Sequence, residues 1–163
     1  MVDPLLLLRL LLLIGVANGT PIFATKLLGD RLAAPLDFGL VLPDGKPLFG
    51  ASKTIRGIVV AIACTTLAAL LLGFEAGIGA GLAAASLAGD LLASFMKRRL
   101  GLPPHAQAFL LDQIPEALLP LLLFRTRLGL SGFDIALLLA SFVVLEIVLS
   151  RLLFRLRIRD RPY

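Results

Sequence analysis

Asp90 stands inside an apolar run, where bulk water is not expected, within residues 86–112, SLAGDLLASFMKRRLGLPPHAQAFLLD. An ionised carboxylate at such a depth costs several kcal/mol unless it is paired, bound to a metal or facing a wet cavity. On a helix, Ser86, Asp90, Ser94 and Lys97 share one face, at spacings of four, four and three. That helix ends in Lys97-Arg98-Arg99 and is stopped by Gly101 and Pro103-Pro104. Asp112 follows after a short loop, at the mouth of the next apolar run. Two acids and a basic cluster at a membrane interface suit metal ions and phosphates. The same residues also fit a plainer role, a snorkelling Lys/Arg anchor beside one structurally paired Asp. The stretch by itself leaves both open.

A second group precedes it in the chain. Gly50-Ala51-Ser52-Lys53-Thr54-Ile55-Arg56-Gly57 leads straight into a hydrophobic helix. Lys53, Arg56 and the N–H groups at that helix start would together make an anion site. The glycine spacing of a Walker P-loop is absent.

These residues need elements to hold them, and the composition says which. Of 163 residues, 58% are hydrophobic, and the mean hydropathy is +0.96. The apolar residues come in runs of about 17 to 25, the length that crosses roughly 30 Å of hydrocarbon as a helix. The expectation is an all-α, polytopic membrane protein of five transmembrane helices, one domain over 1–163 with a loop at 29–56. The first run is too long, and followed by too much more membrane, to be a cleaved signal peptide. The lone Cys64 cannot form an internal disulfide and reads as a small packing residue.

The five spans are expected at Pro4–Leu28, 57–73, 76–96, 107–124 and 132–154. In the first, Asn18-Gly19-Thr20-Pro21 interrupts the pattern, and Pro21 predicts a kink or break. In the third, Gly77, Gly81, Ala85 and Gly89 recur every four residues, a small-residue seam for close helix contact beside Asp90. The fourth holds Asp112, Pro115 and Pro120, so its first turns are expected to be irregular. Glu146 in the fifth is a second buried acid, with an arginine near an interface as its expected partner. The loop at 29–56, with Pro35, Pro43, Pro47 and Asp44-Gly45, predicts turns rather than a helix, and its length predicts a function.

The net charge of +5 matters less than its placement. Lys26, Arg31, Lys46, Lys53 and Arg56, then residues 97–99, then Arg151, Arg155, Arg157, Arg159 and Arg161 all fall on one side. The other side has only Arg125 and Arg127, with Arg9 inside the first span. By the positive-inside rule the N-terminus is outside and the C-terminus cytoplasmic. The long loop, the Lys97 cluster and Asp112 then meet on the cytoplasmic side, where nucleotides are. No nucleic-acid partner is expected, and the oligomeric state is left open.

Ser52-Lys53-Thr54, followed by Gly57, resembles the Lys-Thr-x-x-Gly segment of the integral-membrane CDP-lipid cytidylyltransferases. Gly89-Asp90-Leu91, Ser94, Lys97-Arg98 and then Asp112 resemble the phosphatidate cytidylyltransferase signature. The five-span length, the Asn18–Pro21 interruption, Asp37-Phe38-Gly39, Asp44-Gly45 and Leu111-Asp112-Gln113 are most similar to the CDP-archaeol synthase branch. The likeness runs in order over residues 17 to 116.

That resemblance implies a cell-membrane enzyme that transfers a cytidylyl group from CTP to a lipid phosphate with Mg²⁺, releasing pyrophosphate. The implied lipid is digeranylgeranylglyceryl phosphate, with phosphatidate as runner-up. By resemblance Asp90 and Asp112 are metal ligands, and Asp90, Asp112, Lys53 and Lys97 are catalytic. Lys53 and Arg56 are candidates for the CTP phosphates, and Lys97 and Arg98 for the lipid or nucleotide phosphate. Ser52, Thr54, Ser94, Asn18 and Thr20 complete the expected substrate contacts. Where the family has a second Asp, three positions after the one matching Asp112, this chain has Pro115; Glu116 is the expected substitute metal ligand. His105 is either a proton-transfer group or a solvated loop histidine. The rival classes are a homologue that has lost its chemistry and a small transporter, which would also place a buried acid near a helix break. Against the transporter, five spans do not divide into two equal repeats.

Overall fold

A computed structural model describes residues 3–103, 106 and 108–157. His105, Arg159 and Arg161 therefore lie outside the described residues. The chain is all-helical: α1 (Pro4–Leu28), α2 (Ile55–Leu71), α3 (Ala76–Arg99), α4 (Gln113–Leu123), the single turn α5 (Arg125–Leu128) and α6 (Gly132–Arg155). Among the described residues α1, α3 and α6 are long and apolar enough to cross a membrane; α2 and α4 are shorter apolar helices.

Three of the helices, α1, α2 and α6, start where the sequence provides a side-chain cap. Asp3 Oδ1 accepts from Leu5 N ahead of Pro4, and Thr54 Oγ1 accepts from Gly57 N at the start of α2. Ser131 and Asp134 form a reciprocal capping box on α6. α3 ends in Lys97, Arg98 and Arg99, which complement the negative end of the helix dipole, before Gly101 turns at φ +74°.

Two expected elements differ. α1 runs unbroken through Asn18–Pro21. Pro21 lacks an N–H and so leaves Ala17 O without its helical donor, while on either side Asn18 Nδ2 donates to Ile14 O and Thr25 Oγ1 donates to Pro21 O. The fourth helix begins at Gln113 rather than near 107 and covers 11 residues, about 16 Å of rise and half a bilayer. Leu110 just before it adopts φ +64°, and Pro115 fits only in a first turn, where no N–H partner is needed. The 29–56 loop is built from turns with two isolated bridges, Pro35 to Thr54 and Val41 to Pro47.

Packing divides the bundle along its length. At one end Leu10, Leu13 and Ile14 of α1 meet Ala69 of α2, Ile78 and Leu82 of α3, Leu121 of α4, and Ile135, Leu138 and Phe142 of α6. That end is an apolar core. The small-residue seam of α3 is only partly as expected. Gly81 lies against the Phe124 ring and Gly89 against the backbone of Pro115 and Glu116, while Gly77 faces open space. Gly79, off the seam, is pressed against Ala69 and Thr66 of α2. At the other end the helices enclose a polar space.

Candidate active site

A cavity of about 980 Å³ occupies that second end, lined by α1, α2, α3, α4, α6 and the 29–56 loop. Thr54 caps α2, and the residue before it, Lys53, reaches into the cavity. The Lys53 ammonium lies 2.7 Å from Asp90 Oδ1 and 2.5 Å from Oδ2. Two helical turns further toward the C-terminus of α3, Lys97 Nζ lies 2.6 Å from Asp112 Oδ1 and 3.3 Å from Ala106 O. Asp112 Oδ2 also accepts from Ala108 N at 3.1 Å, which fixes the turn before α4. Asp90 is therefore both paired and cavity-facing, two of the ways a carboxylate is tolerated at depth. The Lys53 and Asp90 side chains are each 26% exposed, so a ligand can reach the pair.

The remaining expected contacts separate into two groups. Ser52, Thr54, Asn18, Ser94 and Arg98 all line the cavity with the two ion pairs. Asn18 is oriented by Ser86, with Nδ2 donating to Ser86 Oγ at 3.0 Å, and Arg98 Nη2 donates to Pro103 O at 3.1 Å. Thr20 and Arg56 are not among the lining residues. Arg56 is 7% exposed. Its Nη1 donates to Gly29 O (2.9 Å) and to Arg31 O, and its Nη2 lies 3.3 Å from Thr25 Oγ1. The guanidinium expected at nucleotide phosphates is thus spent on carbonyls at and just after the C-terminal end of α1. Local sequence could not show this, because those acceptors lie some 25 residues away.

Glu116 is buried in the first turn of α4 and lines the same cavity, as does Glu146 of α6. Glu116 is within electrostatic reach of Glu146, Asp90, Lys53 and Asp112. Among the described residues no three acidic, His or Cys side chains converge into a closed metal-ligand set. The donors present nevertheless suit Mg²⁺, which is commonly held by one or two carboxylates with phosphates and water completing the shell. Asp90 of α3 and Asp112 at the start of α4 offer such hard oxygens in the same cavity.

The loop that carries Lys53 is latched in two places. Asp37, buried, accepts from Gly39 N through Oδ1 (3.1 Å) and from Phe49 N and Gly50 N through Oδ2 (2.9 Å each). Burial would raise its pKa, but the N–H groups of Gly50, Phe49 and Gly39 outweigh that and hold it below the ordinary aspartate value. On the α3 side, Arg99 pairs with Asp44 at 2.6 Å and donates to Pro47 O at 2.5 Å, while Lys46 Nζ donates to Arg99 O at 2.8 Å. Phe49, placed by the Asp37 latch, lines the cavity. Nothing in its sequence setting marked it. Glu146 and Ser150, four apart on α6, were the available sign that this helix contributes to the cavity.

A family model described as CarS-like CDP-archaeol synthase matches residues 4–79 and 74–163. The chain belongs to the CDP-archaeol synthase family. The CDP-archaeol synthase of Pyrobaculum calidifontis is 34% identical over 160 residues, covering 91% of each chain. That of Sulfurisphaera tokodaii is 30% identical over 154 residues, covering 91% of this chain and 89% of its own. A solved structure, of an intramembrane enzyme for archaeal membrane lipids biosynthesis, has a TM-score of 0.71 at 34% identity, covering 87% of this chain and 90% of that one. This member of the CDP-archaeol synthase family is a membrane-embedded nucleotidyltransferase of lipid biosynthesis.

Proposed function

We propose that this chain transfers the cytidylyl group of CTP to digeranylgeranylglyceryl phosphate in the membrane, giving the CDP-lipid and pyrophosphate. The observation that carries this reading is the pair of lysine–aspartate couples, Lys53–Asp90 and Lys97–Asp112, on one reachable cavity. A phosphate oxygen of the lipid attacks the α-phosphorus of CTP. The bond from that phosphorus to the β-bridging oxygen breaks, and pyrophosphate leaves with the electron pair. The nucleophile is already an anion, so no side chain need be cytidylylated. Such chemistry is positioning and neutralisation of charge.

The residues divide that work by type. Lys53 and Lys97 bring positive charge to phosphates, and each aspartate holds its lysine in place until the substrate's own oxygens compete for it. Ser52, Ser94, Thr54 and Asn18 offer hydrogen bonds around them. Asp90 and Asp112 would hold Mg²⁺, with Glu116 as a further candidate ligand. When bound, the ion would neutralise developing charge on the phosphate oxygens. The cavity opens on the cytoplasmic side in this reading, by the distribution of Lys and Arg.

The test uses the purified protein in neutral detergent with radiolabelled CTP and digeranylgeranylglyceryl phosphate. The expected result is a labelled CDP-lipid with stoichiometric pyrophosphate. Turnover of phosphatidate but not of the ether lipid would reassign the substrate. No product with either lipid would overturn the enzymatic reading of this site.

A further inference from the structure

Most cations lining the cavity are already engaged. Lys53 is held by Asp90, Lys97 by Asp112, and Arg98 donates to Pro103 O. Two others, Lys26 of α1 and Arg151 of α6, also line the cavity, and among the described residues neither takes part in an ion pair. They come from two helices that share the apolar core at the opposite end, where Leu10, Leu13, Ile135 and Leu138 belong to one buried cluster. Toward Lys26 and Arg151 the same two helices line a cavity instead of a core.

What surrounds these two cations sets the kind of ligand. Lys26 lies beside exposed Phe23 and Leu27, and Arg151 beside exposed Val148 and Leu152. Each charge therefore stands where an outward apolar helix face meets the polar cavity. A nucleotide has no use for that apolar border. An amphiphile with a phosphate monoester head and long hydrocarbon chains matches both sides of it. Unpaired Lys and Arg near the ends of apolar helices are suited to phosphate oxygens at headgroup level.

We infer that Lys26 and Arg151 form the subsite for the lipid substrate's phosphate monoester, admitted between the cavity-lining ends of α1 and α6. The assignment rests on the cytidylyltransferase reading above. It separates the two phosphate ligands in space: the lipid head on the α1–α6 side, the nucleotide on the Lys53 side. Lys26 and Arg151 are binding residues, contacted in the ground state, so their loss acts on KM for lipid.

The experiment compares Lys26→Gln, Arg151→Gln, the double variant and Lys26→Arg with wild type, all in micelles of neutral detergent. CTP and digeranylgeranylglyceryl phosphate are varied separately. Each single Gln variant is expected to raise KM for the lipid phosphate about tenfold, the loss of one charge-assisted contact. The double variant raises it further, Lys26→Arg restores it, and KM for CTP stays within about twofold throughout. The micelles carry no anionic lipid other than the substrate itself, so no other charged lipid competes for these two side chains. Both side chains are exposed, and an unchanged melting temperature checks that folding is intact. Active wild type with unchanged lipid KM in the double variant overturns the subsite alone, as does a rise confined to KM for CTP. A wild type that forms no CDP-lipid overturns the functional reading and the subsite with it.

Discussion

A Cβ added to Gly89 would lie 2.1 Å from the carbonyl oxygen of Pro115 and 2.7 Å from the Cα of Glu116. The first turn of α4 thus rests directly on α3, one residue before Asp90. The obstructing atoms are backbone and cannot swing aside. Gly89→Ala must push the helices apart, at a cost of about 1–3 kcal/mol, and displaces Glu116 relative to Asp90. We expect a lower melting temperature in detergent and loss of most CDP-lipid formation. Gly77→Ala is the control, since nothing lies within 4 Å of its Cβ position; there alanine should be neutral or stabilising by up to about 1 kcal/mol. Equal effects at both positions would mean that the α3–α4 contact is unimportant.

How far the sequence foretold this arrangement depends on the range of each interaction. Apolar run length located α1 and α6 closely, because a membrane-length helix is a local property. Asp90 was conspicuous because a lone acid in such a run requires an explanation. The seam was half legible: a four-residue repeat identifies a face but not its neighbour, and Gly77 and Gly79 exchange the roles that spacing suggests. The Lys53–Asp90 couple joins residues 37 apart, beyond any periodicity. Arg56 misled for the same reason. A cation beside a helix start looks like a phosphate ligand until the carbonyls of Gly29 and Arg31 are seen to take it.

The Asp37 latch should make the long loop sensitive to acid. Its folded pKa lies below the ordinary aspartate value of 3.8, so the charge stabilises the loop at pH above that value. That stabilisation is lost as pH falls through the lower, folded pKa. Asp37→Asn removes it at all pH, because one amide oxygen cannot serve Gly39 N on one side and Phe49 N and Gly50 N on the other. The cost is about 2 kcal/mol of local stability. Hydrogen exchange across residues 36–53 at pH 7 should be faster in the variant, and wild type should approach it only in strong acid. Identical exchange in the two proteins at neutral pH would refute the latch.

Orientation is tested by labelling from each side. Cys64 is free and exposed, so it is first replaced by alanine. In that background Val41→Cys, exposed in the loop, should react with an impermeant maleimide only from the cytoplasmic face. Thr126→Cys, exposed in α5, should react only from outside. The basis is the concentration of Lys and Arg on the loop, α3-end and C-terminal side. Reaction of both from one face would sink the five-span topology.

The departure at Pro115 gives the most discriminating test of the metal corner. Pro115 carries no acid, and its carbonyl is occupied as the surface against which Gly89 packs. Glu116, the next residue, is buried in the cavity within electrostatic reach of Asp90 and Asp112. Its side chain is one methylene longer than aspartate, so from the neighbouring position its carboxylate reaches further into the cavity that it lines. If Glu116 supplies the missing oxygen, Glu116→Gln should raise the Mg²⁺ concentration needed for half-maximal turnover by about tenfold, as Asp112→Asn does, one charged ligand contact being of that order. Asp112→Asn has a second effect that Glu116→Gln lacks: it strips Lys97 of its carboxylate, so its melting temperature should fall further. A Glu116→Gln enzyme with wild-type Mg²⁺ dependence, beside an inactive Asp112→Asn enzyme, would show that the site runs on two aspartates.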